Sequence, residues 1–203
     1  MGYYGKSNAA NPALIAATEV SSATASVTFD KVFNGETNHY KLVIVDLTVD
    51  NADCDVRTYR RLNGSDVTST MHTMGIANEL QASGASGNFT NATTAGLNQF
   101  DRNETGSDST RHTLSAIADY FPNVANMPSM FHQSVSIGAG SNALGSADNA
   151  FWFERSNQLV GSTAFDGIRI HTSEGNIAGG KFYIYAMVYG VNYGNKSRTC
   201  NTA

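Results

Sequence analysis

Apolar and polar residues alternate in twos almost wherever this chain shows a pattern, and no stretch holds a period of 3.6 beyond two turns. A period of two sends successive side chains to opposite faces of an extended strand, so the alternation commits the chain to β structure. Thr24 to Phe29 is the first such run, with Ala25, Val27 and Phe29 opposing Ser26 and Thr28. Val32 and Phe33 then lead into Asn34-Gly35, a dipeptide suited to a tight turn. His39 to Val49 is apolar on both faces, Tyr40/Leu42/Ile44 and Val43/Val45/Leu47/Val49, which predicts a strand covered on both sides. Cys54 to Leu62 alternates again and stops at the turn signal Asn63-Gly64-Ser65.

From Asp66 to Thr110 the pattern dissolves into Ser, Thr, Asn and Gly, which predicts short strands inside long loops. Strands return at His112 to Phe121, Met130 to Ile137, Ala150 to Glu154, Phe165 to Thr172 and Lys181 to Tyr193. About eight strands without intervening helices suit an all-β, antiparallel β-sandwich of jelly-roll type; a closed barrel is the alternative. Residues 1–20 read as an extended N-terminal arm, in which the apolar patch Ala13 to Ala17 has room for one helical turn. Residues 21–194 form the sandwich domain and 195–203 a flexible tail. The last strand carries Phe182, Ile184, Ala186 and Val188 on one face and Tyr183, Tyr185, Met187 and Tyr189 on the other. The second of these is a candidate subunit interface, since tyrosines bury area while keeping a polar tip.

Charge narrows the function classes. Only 15% of the 203 residues are charged, against about 25% in ordinary soluble domains, and the net charge is -4. That balance leaves no electrostatic footprint for nucleic acid. The chain shows no apolar run of membrane-spanning length, and its first ten residues lack the pattern of a secretion signal, so neither a membrane nor export is expected. Two cysteines, Cys54 and Cys200, are too few for a disulfide scaffold or a four-ligand zinc site, and whether they pair stays open.

Catalytic motifs are missing: there is no G-x-S-x-G elbow, H-E-x-x-H pair, Walker loop or G-x-G-x-x-G turn. Gly138-Ala139-Gly140 lacks the lysine of a phosphate loop and reads as a hairpin connection. The histidines, His39, His72, His112, His132 and His171, have no metal-ligand spacing. Asp50, Asp53 and Asp55 cluster at a strand turn without the spacing of a calcium loop, and a solvated hairpin end is the plainer reading. Asp119, Glu154 and Asp166 lie near aromatics but carry no glycosidase signature. Tyr59, Tyr120, Trp152, Tyr183 and Tyr185 are candidates for a sugar platform, with core or interface as the simpler assignment. The Asn-x-Ser/Thr triplets at Asn63, Asn88, Asn91, Asn103 and Asn195 arise by chance in so Asn-, Ser- and Thr-rich a chain. No catalytic residue, cofactor or metal is expected.

Two stretches carry a family resemblance. Ala23-Thr24-Ala25-Ser26-Val27-Thr28-Phe29 followed by Tyr40-Lys41-Leu42-Val43-Ile44, and Phe165-Asp166-Gly167-Ile168-Arg169-Ile170 followed by Gly180-Lys181-Phe182-Tyr183-Ile184-Tyr185-Ala186, resemble small virion structural proteins of tailed bacteriophages, notably aquatic and cyanobacterial phages. The matched portions cover about a quarter of the chain and are strand patterns, not catalytic signatures. The chain departs from the usual ending, for Tyr189-Gly190-Val191 stands late and a tail follows.

The resemblance implies a non-enzymatic β-sandwich subunit, commonly trimeric, on the outside of a particle assembled in the host cytoplasm. The leading expectation is a capsid decoration or cement protein whose partners are itself and the major capsid protein. Its arm residues Tyr3, Tyr4, Leu14 and Ile15 then contact the shell, while Tyr183, Tyr185, Met187 and Tyr189 join subunits. The alternative is a tail fibre, adaptor or receptor-binding module that works among tail proteins and meets host carbohydrate through Asp66 to Thr110. A small carbohydrate-active enzyme, suggested only by Trp152 beside Glu154, is the third.

Overall fold

A computed structural model describes residues 11–51, 56–68, 70–81, 84–95, 97–99, 113–122, 129–137, 150–159 and 164–188. Among these there is no helix, and the strands are β1 (Asn11–Val20), β2 (Ser26–Phe29), β3 (Tyr40–Val49), β4 (Val56–Leu62), β5 (Ser65–Asp66), β6 (Thr70–Gln81), β7 (Gly84–Ala95), β8 (Leu97–Gln99), β9 (Thr113–Phe121), β10 (Ser129–Ile137), β11 (Ala150–Leu159), β12 (Gly167–Thr172) and β13 (Ile177–Val188). They form two antiparallel sheets. Sheet A runs β1-β13-β3-β9-β10-β11-β6-β7; sheet B runs β2-β12-β4-β5, with β8 also on β4.

One apolar core lies between the sheets. Tyr40, Leu42 and Ile44 of β3, Ala116, Ala118 and Tyr120 of β9, and Phe182, Ile184 and Ala186 of β13 face Val27, Phe29, Ile168 and Ile170 of sheet B. Each set repeats every second residue, so removing it from water holds the layers together. Aromatic rings knit one end of the core: Phe33 lies 4.7 Å from Tyr40, 5.5 Å from Tyr120 and 5.6 Å edge-on from Phe165.

Strand β3 differs from the expectation of two covered faces. Its buried residues run Tyr40, Leu42, Ile44 and then Leu47, Val49, so the phase slips by one residue. The cause is a bulge: Asp46 has φ 52°, and the pairing with β9 shifts between Ile44 and Leu47. Across the sheet Gly180 takes φ 133°, where a Cβ would meet Leu47 Cα at 2.8 Å. Two apolar faces in the sequence are thus one buried face read on both sides of a bulge.

Two other segments depart from expectation. Ala13 to Ala17 is extended, not helical, because β1 adds to the β13 edge from Asn11↔Val188 to Val20↔Gly180, with Ile15 at an irregularity. Val20 is buried and Ala16 packs on the core, so the second half of the expected arm is an edge strand of sheet A. In the Asp66 to Thr110 segment, β6 and β7 pair without a break from Thr70↔Ala95 to Gln81↔Gly84, a long hairpin where short strands in loops were expected. Backbone hydrogen bonds build such a ladder without apolar alternation in the sequence. Tyr3, Tyr4, Tyr189, Cys54, Cys200 and the 195–203 tail lie outside the described residues.

The Phe165-Asp166-Gly167 stretch has a structural use at every position. Phe165 is core; the Asp166 backbone accepts from Phe33 N at 2.9 Å and donates to Arg61 O at 2.8 Å; and a Cβ on Gly167 would overlap the Phe29 carbonyl oxygen. The turn after β4 has Asn63 at φ 51° and Gly64 at φ 79°, the left-handed pair that a two-residue hairpin needs. Gly64 has open space around it. Gly167→Ala is therefore expected to lower stability by at least about 2 kcal/mol through displaced backbone, and Gly64→Ala by only about 1 kcal/mol through its φ. Urea unfolding of the two variants checks that order.

Candidate functional site

The outer face of sheet A over β1, β13, β3 and β9 is a grid set by strand register. Pro12 stands beside Met187, Leu14 beside Tyr185, Ala17 beside Tyr183 and Glu19 beside Lys181. Tyr185 is opposite Lys41, Tyr183 opposite Val43, and Lys181 opposite Val45. Lys41 is opposite Asp119 and Val43 opposite Ile117. Its central row, Ala17–Tyr183–Val43–Ile117, carries no charge. Leu14 is 55% and Ile117 45% exposed, while Tyr183, Tyr185, Met187, Val43 and Val45 are half-buried. The two tyrosine rings lie 6.5 Å apart.

Charge frames this patch. Asp119 Oδ1 receives Lys41 Nζ at 2.7 Å and lies 2.6 Å from His39 Nε2. The His39 ring stacks on Phe121 at 4.7 Å. At the opposite end Lys181 lies 3.9 Å from Glu19. Pairs this close to solvent add little to folding, typically below about 1 kcal/mol. Their effect is to fix charged tips at the margin of an apolar centre, the layout of an interface with a polar rim.

Tyr183, Tyr185 and Met187 share this face with Leu14, which stands directly across from Tyr185. Leu14 of the expected arm contact and three residues of the expected subunit interface therefore share one face, with Ile15 38% exposed. Val188, in phase with the buried Phe182, Ile184 and Ala186, is 50% exposed at the strand end. Sequence reasoning missed Val43, Val45 and Ile117. The signal for Ile117 was the inverted order Ala116-Ile117-Ala118, in which the small residues are buried and the large one is not.

The outer face of sheet B is different in kind. Arg61 binds Asp30 through Nε at 2.5 Å and Asp66 through Nη1 at 2.7 Å, and Arg169 holds the same Asp66. The Asp30 hydrogen bond in particular raises the Arg61 pKa above its ordinary value. Arg169 also sits 5.1 Å over Tyr59, and Tyr59 stacks on His171 at 5.2 Å. The aromatics considered for a sugar platform are thus dispersed: Tyr59 on sheet B, Tyr120 in the core, Tyr183 and Tyr185 together on sheet A, and Trp152 on β11.

Among the described residues no group of three or more His, Cys, Asp or Glu is placed to hold a metal. The Asp50 carboxylate is occupied by Asn176, accepting from its backbone N at 2.6 Å and its Nδ2 at 2.8 Å, which lowers its pKa. Asp53 and Asp55 lie outside the described residues. Asp166 Oδ2 accepts from Asn63 N at 3.1 Å, so it serves the turn. No described helix is long and apolar enough to cross a membrane. Comparison of the chain with protein-family models, curated proteins and solved structures finds no match.

Burial lowers the pKa of His171, and the charges of Arg169 and Arg57 add to the effect. The unfolded chain then takes up the proton more readily than the folded one. Stability from this site is full above the unfolded value of about 6.5 and falls as pH drops toward the lower folded value. His171→Phe keeps a ring against Tyr59 and cannot titrate. Its unfolding midpoint is expected to fall less between pH 7 and pH 5 than that of the wild type, as read by thermal melts across that range.

Proposed function

We propose that this chain is a non-enzymatic structural protein of a tailed-phage particle, a capsid decoration or cement protein that assembles as a homotrimer on the outside of the shell and stabilises it. The observation that carries this reading is the outer face of sheet A, where an uncharged row containing Tyr183, Val43 and Ile117 lies outside the core that holds the fold. The phage resemblance of the first and last strands, the low charge and the lack of catalytic motifs point the same way. On this reading the two sheets are the halves of a jelly roll. Subunits meet through the sheet A face, and residues 1–10, which lead directly into β1, reach the major capsid protein. A standard interface removes about 800 Å² from each partner, and apolar area contributes roughly 25 cal/mol per Å². Contacts of that size, repeated over a shell, oppose the pressure of packaged DNA.

A second reading, a tail fibre, adaptor or receptor-binding module, is favoured by the β6–β7 hairpin. It lies at the far edge of sheet A, and its sequence is dense in Asn and Thr: Asn88, Thr90, Asn91, Thr93 and Thr94. Quantitative mass spectrometry of purified virions separates the two. Decoration predicts a copy number comparable to that of the major shell protein, whereas a small fraction of that number contradicts decoration and assigns the chain to the tail. Removing residues 1–10 leaves β1 intact and is expected to abolish shell binding by a folded protein; normal binding by this truncated form counts against the arm contact.

A further inference from the structure

Arg60 is 1% exposed, lies on the core side of β4 and places its guanidinium carbon 5.6 Å from the centroid of the Phe165 ring. Its Nε and Nη2 have no hydrogen-bond partner among the described residues. These atoms form the edge of a guanidinium that grips two oxygens of one anion side by side. The same edge is used elsewhere in this protein. Arg61 holds both oxygens of Asp30 through Nε and Nη2, and Arg169 holds both oxygens of Asp66 in the same way.

Two hydroxyls are buried at this place, Thr58 Oγ1 and Tyr120 Oη, with no hydrogen-bond partner among the described residues beyond each other. Thr58 is two residues from Arg60 on the same strand face; its hydroxyl hydrogen-bonds the Tyr120 phenol, on which the Arg60 charge also acts. The Tyr120 ring lies 6.1 Å from Phe165, which also underlies Arg60. A guanidinium edge and two hydroxyls gather here, and no carboxylate among the described residues acts on Arg60. One positive charge, two free N–H groups of its guanidinium and the hydroxyl hydrogen that the Thr58–Tyr120 bond leaves over are complementary to a small oxyanion.

We propose that Arg60 Nε and Nη2, Thr58 Oγ1 and Tyr120 Oη form an internal binding site for one small oxyanion of the phosphate, sulfate or carboxylate class, held between the two sheets. The charge of Arg60 persists at neutral pH, because burial brings its pKa down only to about 10. The bound anion neutralises a cation in the core and joins β4 to β9, so that it acts as a lock between the layers.

Inorganic phosphate is the probe, titrated at low millimolar concentration into the full-length protein at fixed ionic strength and pH. Calorimetry and the melting midpoint should both show saturable binding by the wild type. Arg60→Met should lose the response altogether, while Tyr120→Phe, which removes a single hydroxyl, should bind roughly 3–10-fold more weakly, the loss of one hydrogen bond. Absence of saturable binding by the wild type overturns the site, as does an equal response from Arg60→Met. Should Arg60→Met not fold, Tyr120→Phe decides: weaker binding supports the site and unchanged binding overturns it.

Discussion

Contact among Phe33, Tyr40, Tyr120 and Phe165 is the interaction on which the rest of the structure depends, because it joins the central strands of sheet A to the loops that feed sheet B. Phe33 follows β2 and Phe165 precedes β12, so the cluster fixes where the smaller sheet lies on the larger one. Close approaches between neighbouring strands within each sheet add to it. Gly167 must pass under the Phe29 carbonyl, and Gly180 must pass the bulge of β3 at Leu47. Arg60 is drawn into the same region, over Phe165 and beside Tyr120, which is why a charged side chain is among the most buried in the protein.

Fixing the layers leaves two outer faces of different chemistry. Sheet B presents arginines satisfied by Asp30 and Asp66, a surface content in water. Sheet A presents Leu14, Tyr183, Tyr185, Val43 and Ile117 inside a margin of paired charges. Large contiguous apolar patches are uncommon on proteins that work alone. The division of labour suits a subunit that keeps one side for solvent and one for its neighbours.

Much of this was legible in the sequence where a strand has one buried face. β2, β9, β12 and the part of β13 from Phe182 on alternate cleanly, and the Asn63-Gly64 turn is visible in its residue types. Legibility failed for three physical reasons. β1 is an edge strand rich in alanine, whose pattern does not distinguish a strand from a helical turn. β6 and β7 pair through backbone groups and carry too little apolar alternation to be seen. In β3 a bulge makes one buried face look like two. For the candidate surface, Tyr183, Tyr185 and Met187 announce themselves by alternation, whereas Val43 and Ile117 join them only through a register between strands far apart in sequence. Arg60 was invisible for a related reason: it is in phase with Val56 and Thr58, but composition alone gives no cause to bury an arginine.

The central claim is that the outer face of sheet A assembles subunits and is dispensable for folding. Sedimentation equilibrium of the wild type and of Ile117→Asp, paired with urea unfolding, tests it most directly. The account predicts a closed oligomer for the wild type, and for the variant a monomer with its fold intact, its stability within about 0.5 kcal/mol once the contribution of assembly is removed. A monomeric wild type, or an Ile117→Asp protein that assembles unchanged, would contradict it.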